Sequence, residues 1–147
     1  THESGLVFSP FTDVLVYNGY SAPSYSGDLL IVELWFKYGA TSTPHSHVFT
    51  GENYSTCHTC VTLKTGCQDS ECQRTFLVQS GTLNVTTLDD GNNVIAGTVT
   101  DLVATEVTIN PNTAVSTPVP GGETWCVPNH PFQVTFNVFS GIGPTKP

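Results

Sequence analysis

Residues 132–139 alternate: Phe132, Val134, Phe136 and Val138 take turns with Gln133, Thr135 and Asn137. A period of two sends alternate side chains to opposite faces of a strand. The pattern recurs at 82–88, where Leu83 and Val85 alternate with Thr82, Asn84 and Thr86. It recurs again at 28–38, DLLIVELWFKY, with Leu30, Val32, Leu34, Phe36 and Tyr38 on one face. The other face of that segment, Glu33, Trp35 and Lys37, reads as partly wet. Further strands are expected at 12–17, 58–64, 74–79, 94–100 and 102–109, each closed by Gly, Pro or Asn, and no segment carries a helical period. The turn residues of DDGNN, 89–93, predict a hairpin. The Pro-rich segment 116–131 reads as a long loop across the end of a sheet. The fold class that follows is all-β: a single antiparallel sandwich or jelly roll of about eight or nine strands.

Composition agrees. Charged residues are only 11% of the 147, a balance that suits Thr- and Ser-faced strands better than surface helices laced with ion pairs. Lys and Arg number 4 against 12 Asp and Glu, for a net charge of −8. The cations that would neutralise phosphates are therefore almost lacking, so no nucleic-acid partner is expected and an anionic membrane surface is disfavoured. The longest apolar stretch, around LLIVELWF, is broken by Glu33, so no membrane insertion is expected. The absence of Met and the opening THESG suit a mature chain whose signal peptide has been removed, hence a secreted or cell-surface protein.

Compartment then decides how the five cysteines read, four of which fall between Cys57 and Cys72. In an oxidising setting close cysteines pair. Cys67 and Cys72 flank the polar turn QDSE, and a bridge closing so short a loop contributes about 2 kcal/mol. Cys126 is then expected to pair with Cys57 or Cys60, which leaves one thiol over. A redox couple in CHTC would need a helix N-terminus, whereas CHTC runs into the strand-like VTLK. Haem is disfavoured because Val61, not His, follows Cys60.

His45, His47 and His58, from PHSH and CHTC, are candidate ligands for zinc or copper. Disulfides would consume the thiolates, and Pro44 argues for a loop, so no native metal site and no cofactor are expected. There is no G-x-S-x-G, and the acids are scattered, so no enzyme is expected either. Asn53 in N-Y-S and Asn84 in N-V-T are glycosylation sequons. If glycans are present, Asn53 is the first choice.

In LVFSPFTDVLVYNGY apolar residues occupy both parities: Phe11, Leu15 and Tyr17 on one, Val14 and Val16 on the other. Such a strand needs cover on both sides. Two readings fit. It is a central strand of its own domain, or residues 1–18, with Phe8, Phe11, Val14, Leu15, Val16 and Tyr17, are donated to a neighbouring subunit and leave 19–147 as the β-domain.

The order of NYSTCHTCV, a short cysteine hairpin, FLVQSGTLNVT, and EVTI with STPVPGG resembles that of small extracellular β-domains encoded in bacteria of the myxobacterial type. The resemblance covers roughly residues 28–126 and excludes the first 27. It implies an extracellular location and assigns no activity or catalytic residue. The expectation is thus an extracellular structural protein, a subunit of a filament or surface layer polymerising head to tail through the first strand. The alternative is a secreted sugar- or metal-binding module using Trp35 or Trp125 with loop histidines.

Overall fold

The computed structural model describes residues 2–8, 13–141 and 143–147. The elements are β1 (His2–Phe8), β2 (Val14–Ala22), β3 (Ser26–Trp35), a 3-10 turn (Phe36–Tyr38), β4 (His45–Val48), β5 (Thr59–Cys67), β6 (Arg74–Asp89), β7 (Val94–Ile109), β8 (Ser116–Pro118) and β9 (Thr124–Phe139). They form one nine-stranded sheet, so the all-β, disulfide-stapled class expected from the sequence holds.

The pairings β1–β2, β2–β3, β3–β5, β5–β6, β6–β7, β7–β9 and β9–β1 form a closed circuit, with β4 and β8 as short flaps on β6 and β7. All are antiparallel except β1–β9, which is parallel. Closure leaves fewer of the exposed edges that offer unpaired main-chain groups, the flap β4 and the first half of β9 keeping one each. Inside lies the main core, to which β2 sends Leu15 and Tyr17, β3 sends Leu30, Val32 and Leu34, and β6 sends Phe76 and Leu83.

The opposite face of β2 and β3 is also dry, because Val14, Val16, Trp35, Cys57 and Cys60 make a second cluster. This corrects the expectation of a wet face on 28–38: Trp35 is 1% exposed and Glu33 7%. The segment around Tyr54 and Cys57 and the tail at Lys146 roof that face. The strand also stops at Trp35, since Phe36–Tyr38 turn away.

Two further expectations are corrected. The strands read at 74–79 and 82–88 are one, β6, and those at 94–100 and 102–109 are one, β7, each 16 residues long. Register shifts around Ser80 and positive φ at Gly81 and Asp101 mark the bends within them. The supposed loop 116–131 contains β8 and the first half of β9. In β9 Pro128 and Pro131 are tolerated because that half pairs only with β7, and an edge does not need their missing N–H groups. The 89–93 hairpin forms as read, with Asp89 Oδ1 accepting hydrogen bonds from the Gly91 and Asn92 amides at 2.9 and 3.1 Å.

Candidate functional site

The position that distinguishes this sheet is the slot between β2 and β9. Strand β1 fills it, antiparallel to β2 over seven residue pairs and parallel to β9 over four. Its burial is slight: among its seven residues only Gly5 is buried. The main core draws none of its buried side chains from β1, and Val7 packs only at its margin. Gly5 is there because β9 comes so near: a Cβ would sit 2.9 Å from Phe136 Cβ and 3.0 Å from Val134 Cγ1. One side-chain tie adds to the ladder, the Tyr17 hydroxyl donating to Glu3 Oε1 at 2.7 Å. Burial and then Glu3 push the Tyr17 pKa well above the ordinary phenol range. Beside β1, Val138 and Phe139 of β9 are 61% and 51% exposed, and the Phe139 ring meets Phe8 edge-on.

Of the residues expected to serve assembly, Val14, Leu15, Val16 and Tyr17 are buried within their own chain and Phe8 is half-buried. Phe11 lies outside the described residues. The both-parity pattern of β2 is thus met by the main core on one side and the Trp35 cluster on the other.

The cysteines pair locally as Cys57–Cys60 and Cys67–Cys72. The Cys67–Cys72 expectation holds, and the expected bridge from Cys126 does not. Cys126 stands free and exposed on β9 opposite Val103, whereas Cys57 and Cys60 face the second cluster, over β2 and β3. Against the Cys57–Cys60 bond lies Lys146, buried in the tail. Its Nζ donates to Cys57 O at 2.8 Å, sits 3.0 Å from Cys60 Sγ, and rests over the rings of Tyr54 and Trp35 at 4.3 and 4.8 Å. Burial pulls the Lys146 pKa down to about 8, against the pull of Glu33 and Glu52. Glu33 accepts from Tyr54 Oη at 2.9 Å and from Trp35 Nε1 at 3.2 Å. Burial nonetheless holds its pKa above the ordinary carboxyl value. This is a closed polar plug that fastens the tail, with its sulfurs already oxidised.

The segment expected to be a loop at PHSH is instead the edge strand β4, Pro44 immediately preceding it where no N–H is required. His45 and His47 pair with Val85 and Leu83, so they project to the core side of the sheet. His45 Nδ1 is 2.6 Å from Thr43 O, and His47 stacks edge-on with Phe49 and His58 at 4.9 and 5.5 Å. His45 Nε2, His47 Nε2 and Glu52 Oε2, and also His130 Nε2 on β9, are each shielded from solvent without a hydrogen-bond partner. Among the described residues no three His, Cys, Asp or Glu groups already stand gathered to hold a metal ion.

Elsewhere a cavity of about 270 Å³ is lined by Tyr17, Leu30, Leu63, Trp125 and His130. Asn53 is engaged: its Nδ2 donates to Ser116 O at 2.7 Å and its Oδ1 accepts from the Ser116 amide at 2.9 Å. Asn84 is exposed on β6, and its Oδ1 accepts from Ser46 Oγ at 2.8 Å.

Glu3, Gly5, Glu52, Tyr54 and Lys146 escaped the sequence reading. Glu33 alone carried a signal, an acid within an otherwise apolar run. Two disulfides indicate an oxidising environment, and no helix among the described residues is long and apolar enough to cross a membrane. No protein-family model matches the chain, and neither a curated protein nor a solved structure matches it significantly.

Proposed function

We propose that the chain is a secreted structural subunit of an extracellular filament or surface layer, polymerising head to tail by exchanging β1. The observation that carries this reading is that the strand closing the sheet contributes no buried side chain to the main core. Its departure gives up main-chain hydrogen bonds and a few apolar contacts, and leaves the remaining core strands in place. A second copy's β1 restores every one of those bonds, because exchange reproduces the same pairs between chains. A contact of one strand with one slot is heterologous, and when it does not close on itself it builds a fibre. The donated unit is β1 alone; the buried side chains of β2 belong to the domain. Asp13, held at φ 49° just before β2, supports a hinge there, since a non-glycine residue in that region is under mild strain.

The reading is of a non-catalytic protein without cofactor. Four of the five thiols are consumed, and the buried Lys146 and Glu33 are fastened to structural partners. The exposed Asn84 is the better glycan acceptor in the folded chain, because the Asn53 amide is already committed to Ser116. A sugar-stacking role loses its support: Trp35 is buried, and Trp125 leans edge-on against Phe76.

Deletion of residues 1–9 tests the proposal. The truncated chain is expected to remain monomeric by size exclusion with light scattering, and to take up a synthetic peptide of residues 1–9 one to one. Assembly that proceeds unchanged without those residues would contradict it.

A further inference from the structure

We infer that His45, His47 and Glu52 form a binding site for one divalent transition-metal ion of the zinc or copper type. The first ground is accounting for polar atoms. An unpartnered buried donor or acceptor is costly, and of the four such side-chain atoms among the described residues three, His45 Nε2, His47 Nε2 and Glu52 Oε2, occur around one short edge strand, the fourth being His130 Nε2 on β9. One bound cation satisfies all three.

The second ground is the protonation pattern. His45 Nδ1 lies 2.6 Å from the carbonyl of Thr43, an acceptor only, so Nδ1 is the donor and, in the neutral ring, the lone pair is on Nε2. A ring N–H fixed on a backbone carbonyl is the outer-shell arrangement that orients metal-binding histidines.

The third ground is spacing. His47 Nε2 and Glu52 Oε2 are 3.7 Å apart, too long for a hydrogen bond. Two ligands bonded at about 2.0–2.2 Å in tetrahedral geometry stand roughly 3.3–3.6 Å from each other, so this pair needs to close only slightly. His45 and His47, two residues apart on β4, share one face, so both rings can turn toward a common point. The donors are not preassembled; with His45 held on Thr43 O, the ion draws His47 and Glu52 toward it by side-chain torsion and by movement of a strand four residues long with a free edge. Two imidazoles with one carboxylate suit zinc or copper, whereas calcium and magnesium favour all-oxygen sites.

The test uses the full chain with Cys126→Ser, which removes the exposed thiol as a rival ligand. Zinc chloride alone is titrated into metal-free protein by calorimetry, beside His47→Gln, Glu52→Gln and the control His2→Gln on β1. One zinc per chain is expected, weakened at least about tenfold in the first two variants and unchanged in the third. Zinc should also raise the melting temperature of the parent. X-ray absorption of the zinc-loaded parent should give nitrogen and oxygen neighbours at about 2.0–2.1 Å and no sulfur near 2.3 Å, a readout that stands even if a variant fails to fold. No saturable binding by the parent, a sulfur shell, or equal affinity in parent, His47→Gln and Glu52→Gln would each overturn the assignment.

Discussion

Lys146 shows how one side chain can be read in space and not in sequence. A single lysine in a Gly- and Pro-rich tail has no neighbours that announce burial, yet its ammonium is held by a carbonyl, a disulfide sulfur and two aromatic faces. Its pKa falls from the ordinary 10.5 to about 8, and the sign of the consequence is fixed. At pH values between the two, the unfolded chain keeps a proton that the folded chain has lost, so stability rises with pH. The contribution is complete above the ordinary lysine value and lost as pH falls through about 8. Tyr54 works the other way, since its raised pKa costs stability once unfolded tyrosines ionise near about pH 10. Urea midpoints are therefore expected to climb from about pH 7.5 to about 9.5. In Lys146→Met, which keeps an apolar stem against Trp35 and Tyr54, the climb should flatten. An equal climb in both proteins would assign it to another group.

At the scale of elements, alternation made the strands legible and turn chemistry made the 89–93 hairpin legible, because both signals are local. What misled was punctuation. Gly81 and Asp101 look like strand ends, but they face each other across β6 and β7 as a bend inside two long strands. A bulge and a turn use the same residue types, and only the partner strand tells them apart. Proline misled likewise in β9, where the unpaired side of an edge removes its penalty. A β-carbon on Gly81 would stand 2.6 Å from Asp101 O, at φ +106°. Gly81→Ala should therefore destabilise by about 1–3 kcal/mol in chemical denaturation. A neutral effect would mean that the bend does not depend on this close approach.

For the whole molecule, the decisive relation is among distant parts: the first strand lies between the second and the last and closes the sheet. The sequence carried half of this, since the both-parity pattern of residues 14–17 demanded two-sided cover. Its source was hidden, because the roof over the second face comes from residues 54–60 and the tail at 146, far along the chain. The candidate metal donors were visible as histidines in PHSH, but their shared face depended on β4 pairing with β6. Whose β1 fills the slot is a question that bond formation answers. Leu6 and Asn137 are partners across the parallel β1–β9 ladder, so cysteines at both positions, with Cys126→Ser, trap the strand where it lies. After mild oxidation of assembled protein, a non-reducing gel should show a ladder of multiples of the chain, one bond for each donated strand. A single monomer band, with the same bond formed within each chain, would contradict exchange of β1.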